Sequence, residues 1–194
     1  ARLFADKLSA MWHQPVIVEN RPGGDGIVAI TSFLGAHDDH TLLVSPVSSF
    51  TAHPYFHDKL PYNPKDMIPV ARISSTVVAV AVPAALNLNS LKDLVALAKK
   101  EPGKLNWTTA TGFTDFVFAG FLHTVVLKME KVPYKNPAGA ANDLAAGVIQ
   151  VYMPAYAIVR PQVAAGKVKV LAVTNHSRAP ALPDTPTASQ AGYP

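Results

Sequence analysis

The stretch NWTTATGFTDFVFAG, residues 106–120, sets a strand end, a hydroxyl-rich turn and a helix start in direct succession. Leu105 and Trp107 read as the closing positions of a strand, and a helix is expected to begin near Thr114. Four threonines, Thr108, Thr109, Thr111 and Thr114, crowd the turn around Gly112, and no His, Cys, Lys or Arg joins them. Small hydroxyls, backbone N–H groups and the positive end of a helix dipole hold an anion without doing chemistry on it. The stretch therefore predicts a binding seat, not a catalytic one, at the carboxyl end of a strand in an α/β protein.

Outward from that seat, short strands alternate with helices, the pattern of an α/β fold with largely parallel sheets. Before it, helices are expected over Arg2–Trp12, Ile27–Leu34 and Thr51–Phe56, and strands over Val16–Glu19, Thr41–Val44, Ile68–Ile73 and Val77–Val82. Ser90 caps a further helix running through Lys100, which Pro102–Gly103 stops. After the seat come strand Lys131–Tyr134, helix Ala138–Ala146, strand Val148–Met153, helix Ala157–Ala165 and strand Val168–Val173. The tail from Asn175 carries four prolines and reads as an extended connector with one helical turn at Thr187–Ala191. Two α/β lobes are suggested, with change-overs near Val78–Pro83 and Leu171–Thr174.

Composition narrows the function classes. With 49% hydrophobic and 15% charged residues, the 194-residue chain can bury a core in one or two domains. The most apolar run, Val77–Leu88, is interrupted by Pro83 and reads as a buried strand, not a membrane span. The net charge of +4 is spread out, with Lys99–Lys100 the one adjacent basic pair, which favours small anions over nucleic acid as partners. The absence of cysteine excludes disulfides, thiol catalysis and thiolate metal sites. No signal peptide is visible, and the chain opens directly on a helical pattern at Leu3, Phe4, Leu8 and Met11.

Other motifs carry less. GDGIVA, beginning at Gly24, matches the dinucleotide fingerprint G-x-G-x-x-A. Arg21–Pro22 intrude where that fingerprint wants an immediate turn, and no acidic residue closes the next strand, so a glycine turn is favoured. His37-Asp38-Asp39-His40 looks like a metal cluster but lies in a polar turn, and a solvated turn is the better reading. His53 and His57 share i, i+4 spacing without a glutamate and with Pro54 between them, so structural roles are favoured and no metal site is expected. No G-x-S-x-G elbow, P-loop or carboxylate pair is present. Phe113, Phe116 and Phe118 read as core packing, although Phe113 sits in the loop where a ligand would pass. Three loops, Asn20–Gly26, Ser45–Thr51 and Thr108–Asp115, share a small, polar style at predicted strand ends, where open α/β sheets bind ligands.

Several blocks together resemble the Bug (TctC-like) family, the periplasmic solute-binding proteins of tripartite tricarboxylate transporters. They are QPV at Gln14–Val16 leading into VENRPGG, KLPYNPKDMIPVARI at Lys59–Ile73, SLKDLVALAKKEPGKLNW at Ser90–Trp107, VPYK at Val132–Lys135, and the stretch Ala164–Pro194. The resemblance covers nearly the whole chain. It implies a two-lobed, type II periplasmic-binding-protein fold, with lobe 1 over 1–79, lobe 2 over 80–171 and 172–194 returning to lobe 1. It further implies a periplasmic, monomeric receptor without cofactor or catalysis, which captures a small organic acid and delivers it to membrane permease subunits. The alternative from the residues alone is a nucleotide-dependent oxidoreductase or other α/β enzyme using GDGIVA.

Carried onto this chain, the resemblance assigns ligand contacts to Thr109, Thr111, Gly112 and Thr114 in the second lobe and to Ser48 and Ser49 in the first. Tyr134, with Lys135, begins a further loop on that side. Family members continue at both ends beyond the residues matched here, so the fold is expected to be truncated, with the first lobe exposing sheet edges and apolar surface. Within the opening stretch the departures are Phe113 and Asp115. An Asp in the first helical turn suits the dipole but competes with an anion for the same N–H groups. Either Asp115 turns away or the ligand meets it with a donor. Pro154 stands where the family has an acidic residue, which tilts the ligand toward an aromatic or longer-chain acid over citrate.

Overall fold

Val80 and Val82 point to one side of a strand and Ala79 and Ala81 to the other, and all four are buried. Such a strand needs helices on both faces. The computed structural model, which describes residues 1–109, 112–134 and 136–193, supplies them. The chain divides into two compact units, Ala1–Ala71 and Arg72–Pro194.

The second unit holds a five-stranded sheet of β1 (Ala79–Pro83), β2 (Asn106–Thr109), β3 (Glu130–Lys131), β4 (Val151–Met153) and β5 (Val168–Val173), in the order β3-β2-β4-β1-β5. Helices α5 (Leu91–Lys100) and α6 (Gly112–Thr124) cover one face, where Leu91, Leu94 and Ala98 meet Val80, Val82, Trp107 and Phe118. Helices α7 (Pro137–Ala145) and α8 (Tyr156–Ala164) cover the other, where Leu144 and Val159 meet Ala81, Ile149 and Tyr152. β4 shows the same alternation, with Val151 and Met153 in the first cluster and Tyr152 in the second.

The sheet is mixed. β2 pairs in parallel with β3 and β4, whereas β1 lies antiparallel between β4 and β5. Consecutive β-α-β crossovers give the parallel neighbours. β1 belongs to no such crossover and enters reversed, a direction that hydrophobic pattern does not encode. The tail stays with this unit: Val173 donates to the Pro186 carbonyl at 3.0 Å, and Ala188, Ala191 and Tyr193 pack on the first cluster. The helical turn expected at its end is present, with Ala191 N–H on the Thr187 carbonyl at 3.0 Å.

Ser90 caps α5, its Oγ accepting from Asp93 N–H at 3.1 Å, while Asp93 Oδ2 accepts from Asn89 N–H at 2.9 Å. Those backbone and hydroxyl donors hold the Asp93 carboxyl below its usual range. Ser90→Ala is expected to cost about 1 kcal/mol of unfolding free energy, read as a lower urea midpoint with an unchanged slope.

The first unit contains α1 (Arg2–Trp12), a 3-10 turn at Gly24–Gly26, α2 (Ile27–Leu34), and two single turns, α3 (Ser48–Thr51) and α4 (His53–Phe56). Ile30, Tyr62 and Met67 form its small core with Ile27, Phe33, Leu34, Leu43, Phe50 and Leu60 around them. The strands expected over Val16–Glu19, Thr41–Val44 and Ile68–Ile73 form no ladder here among the described residues. A strand exists only where a second backbone stands beside it to take its hydrogen bonds, and these segments have none. Their side chains stay out accordingly: Ile17, Leu42, Val44, Ile68 and Val70 are all exposed.

Candidate functional site

β2 ends at Thr109 and α6 begins at Gly112, so the hydroxyl-rich stretch brackets a strand end and a helix start. Helical phase decides what α6 buries. Thr114, Phe118 and Leu122 recur every four residues and face the sheet, whereas Phe113, Phe116 and Val117 are exposed. Core packing thus holds for Phe118 and not for Phe113 or Phe116, which the helix turns outward. Phe118 lies tilted on Trp107 with ring centroids 4.9 Å apart, locking α6 to β2 beneath the turn.

Asp115 does not stand alone in that turn. One of its carboxylate oxygens accepts from the Thr109 hydroxyl, and the other pairs with Lys131 Nζ at 2.8 Å. Lys131 is delivered by β3, where it is the register partner of Trp107, and its ammonium lies 5.6 Å from the Trp107 ring centroid. The cation draws on the ring face and the carboxylate together. A strand end, a neighbouring strand and the first helical turn are thereby tied into one polar cluster. Its net charge is balanced, so the Asp that would repel an anion is engaged by protein groups. Thr114 is buried in the same turn, and Gly112 begins the helix. Thr111 and Lys135 lie outside the described residues.

Tyr134 is occupied elsewhere. Its hydroxyl donates to Asp143 Oδ2 on α7 at 2.6 Å, and burial, with the Asp143 carboxylate behind it, pushes the phenol up to about 12. Asn136 caps α7, its Oδ1 accepting from Ala138 N–H at 3.0 Å. Pro154, in place of an acidic residue, is buried and gives its carbonyl to Ala79 N–H at 2.9 Å. A groove of about 380 Å³ between the carboxyl ends of α7 and α8, lined by Asn142, Gln162 and Lys167 among others, lies at the amino edge of the strands. It is remote from this cluster, and the convergence of charged and hydroxyl groups identifies the β2–α6 junction as the better candidate.

In the first unit, Ser49 is fully buried, its Oγ 2.7 Å from that of Ser45, while Ser48 is half-buried. The Ser49 carbonyl accepts from the Tyr62 hydroxyl at 2.8 Å, and His53 Nδ1 lies 2.8 Å from the Tyr62 hydroxyl oxygen. Burial, and then the negative charge of Asp25, raise the Tyr62 phenol above its ordinary value, so it keeps the proton that it donates. The GDG turn before α2 runs through positive φ at Gly24, Asp25 and Gly26. No strand of the described residues leads into it, so the strand–turn–helix setting of a dinucleotide fingerprint is missing. The tetrad at His37–His40 is an exposed turn, in which Asp38 accepts from His40 N–H at 2.8 Å and from the Thr41 hydroxyl at 3.0 Å. The metal-capable atoms that converge among the described residues belong instead to Asp25, His53 and His57.

Sequence spacing missed Lys131 and Asp25. Lys131 is separated from Asp115 by a whole helix and reaches it only through the pairing of β2 with β3. Asp25 lies in a glycine turn far from the histidines in the chain.

A family model described as the tripartite tricarboxylate transporter family receptor, TctC, matches residues 1–194. The UPF0065 protein in the tcbD-tcbE intergenic region of Pseudomonas sp. (strain P51) is 31% identical over 199 residues, covering 100% of this chain and 59% of that protein. Among solved structures, R. palustris Rpa4515 with adipate is similar at a TM-score of 0.84 and 26% identity, over 100% of this chain and 66% of the other. MatC of Rhodopseudomonas palustris with bound malate is similar at a TM-score of 0.77 and 26% identity, over 100% and 67%. The chain thus spans 58–61% of the length of the first curated relatives it matches.

Proposed function

This chain belongs to the TctC family of tripartite tricarboxylate transporter receptors, and from that premise we propose that it captures a small organic carboxylate at the β2–α6 junction. Its fold is that of periplasmic binding proteins, and no helix among the described residues is long and apolar enough to cross a membrane. The observation that carries the proposal is the neutralised Asp115. Lys131 and Thr109 engage its carboxylate, so the start of α6 can present its dipole and first-turn N–H groups to an incoming anion. Thr114 contributes from the same turn, and Thr111 and Gly112 are assigned contacts with it. The exposed ring of Phe113 supplies an apolar wall for the ligand's carbon chain.

Ser48 and Ser49 are the proposed contacts of the first unit. Of this turn the half-buried Ser48 hydroxyl is the more accessible, and the buried Ser49 would act through its backbone, whose carbonyl Tyr62 holds. Tyr134 serves by fixing its loop on α7 through Asp143. Adipate and malate, named with Rpa4515 and MatC, make linear dicarboxylates the first ligands to test. A few charge-assisted hydrogen bonds at about 1.5–3 kcal/mol each, less the cost of ordering, correspond to micromolar affinity. The whole protein is proposed to work in the periplasm and pass its ligand to a membrane permease. The proposal requires no bond-making step.

The test is calorimetric titration with adipate, malate and NAD, with Trp107 fluorescence as a second signal. Thr114→Val is expected to weaken dicarboxylate binding about tenfold, the loss of one hydrogen bond to a charged group, with the urea midpoint little changed. Heat from NAD and none from either dicarboxylate would overturn the assignment.

A further inference from the structure

We propose that Asp25, His53 and His57 form a binding site for a divalent transition-metal ion of the zinc class. Their ligand atoms all lie within 4.8 Å of one another, and they come from two separate stretches of the first unit. The proposal does not rest on the carboxylate assignment at the β2–α6 junction.

The hydrogen-bond network around His53 decides which of its nitrogens is available. Tyr62 has one hydroxyl proton and gives it to the Ser49 carbonyl at 2.8 Å. The contact between His53 Nδ1 and the Tyr62 oxygen, also 2.8 Å, then requires the proton to sit on Nδ1. In the neutral ring this leaves Nε2 with a lone pair, and Nε2 faces Asp25 Oδ2 at 3.5 Å. Two acceptors so placed repel unless a cation lies between them. The distance itself is informative. A charge-assisted N–H···O bond closes to about 2.7–2.9 Å, whereas two ligands of a tetrahedral zinc, each ~2.1 Å from the metal, stand ~3.4 Å apart.

The remaining features agree with a metal centre. The His53 side chain is 1% exposed and is oriented through its other ring nitrogen by Tyr62, as metal-ligating histidines are held by an outer hydrogen bond. His57 follows from the end of α4, its ring edge-on to His53 with centroids 5.4 Å apart. Asp25 sits at φ 56° between two positive-φ glycines, a conformation that aspartate tolerates better than most residues. Its side chain is 62% exposed, which gives the ion a path in and leaves room for water as a fourth ligand. Two imidazoles and one carboxylate suit Zn²⁺, with Co²⁺ and Ni²⁺ as substitutes, and suit Mg²⁺ or Ca²⁺ poorly.

The experiment is titration of the chelator-treated, full 194-residue chain with Zn²⁺ by calorimetry and with Co²⁺ by visible absorption, where a tetrahedral site gives strong d–d bands. The variants Asp25→Asn and His57→Gln leave the buried His53 in place, and circular dichroism checks their folding. One equivalent of metal is expected to bind, with affinity falling at least tenfold in each variant and unaltered in His37→Gln/His40→Gln. Unchanged affinity in both Asp25→Asn and His57→Gln, no binding by the parent chain, or loss in the His37/His40 pair overturns the proposal. Adipate titrations of the same variants read the carboxylate seat separately, so failure of one assignment is distinguishable from failure of the other.

Discussion

Exchanging Lys131 for methionine is expected to weaken dicarboxylate binding about tenfold. The ammonium holds Asp115 at 2.8 Å, and without it the carboxylate, still bonded by the Thr109 hydroxyl, carries an uncompensated charge. Two like charges ~6 Å apart, at an effective dielectric of ~20–40, repel by about 1.4–2.8 kcal/mol, which is roughly tenfold to a hundredfold in affinity. The side chains are 46% and 30% exposed, so solvent screening places the effect at the low end of that range. The sign pattern is the discriminating result. Asp115→Asn alone should tighten binding, and the double variant should return close to the parent. Calorimetry at two salt concentrations reads this directly, because added salt should shrink the Lys131→Met effect. Equal weakening by Lys131→Met and Asp115→Asn would show a purely architectural cluster and remove its electrostatic role.

Leu94→Ala should destabilise the second unit by about 2–5 kcal/mol, the cost of a core cavity where the surroundings relax only in part. Leu94 is completely buried between α5 and the face of the sheet that carries Val80, Val82 and Trp107. The two tryptophans make the measurement specific, since Trp12 belongs to the first unit and Trp107 to the second. In a Trp12→Phe background, emission from Trp107 reports the second unit alone during urea unfolding. Leu3→Ala provides the control, because Leu3 is 68% exposed on α1 and its truncation leaves no cavity. A Leu94→Ala midpoint within error of that control would contradict the packing described for α5.

The proposed anion seat could be read from one stretch because its components are neighbours in the chain. The threonines, Gly112 and the helix start follow one another within a few residues, and a helix N-terminus needs no distant partner to carry its dipole. The apolar faces of α5, α7 and α8 were legible for the same reason, since helical periodicity is local. Aromatic character suggests a core place for Phe113 and Phe116, but the helical phase that buries Phe118 turns them outward. The three first-unit segments that read as strands show the limit of alternation as a signal. Hydrophobic alternation says which residues suit a ladder, but the partner backbone has to come from another part of the chain.

Local chemistry alone determined the helices, the strand end and helix start that bracket the hydroxyl-rich stretch and, through blocks covering nearly the whole chain, the family. Tertiary structure alone decided that β1 runs against its neighbours and that Lys131 disarms Asp115. It also decided that Asp25 meets two histidines which spacing had dismissed. The physical reason is common to all three. Periodicity, capping and turn chemistry act over a few residues, whereas the charge state and donor set of a site depend on which strands and loops fold side by side.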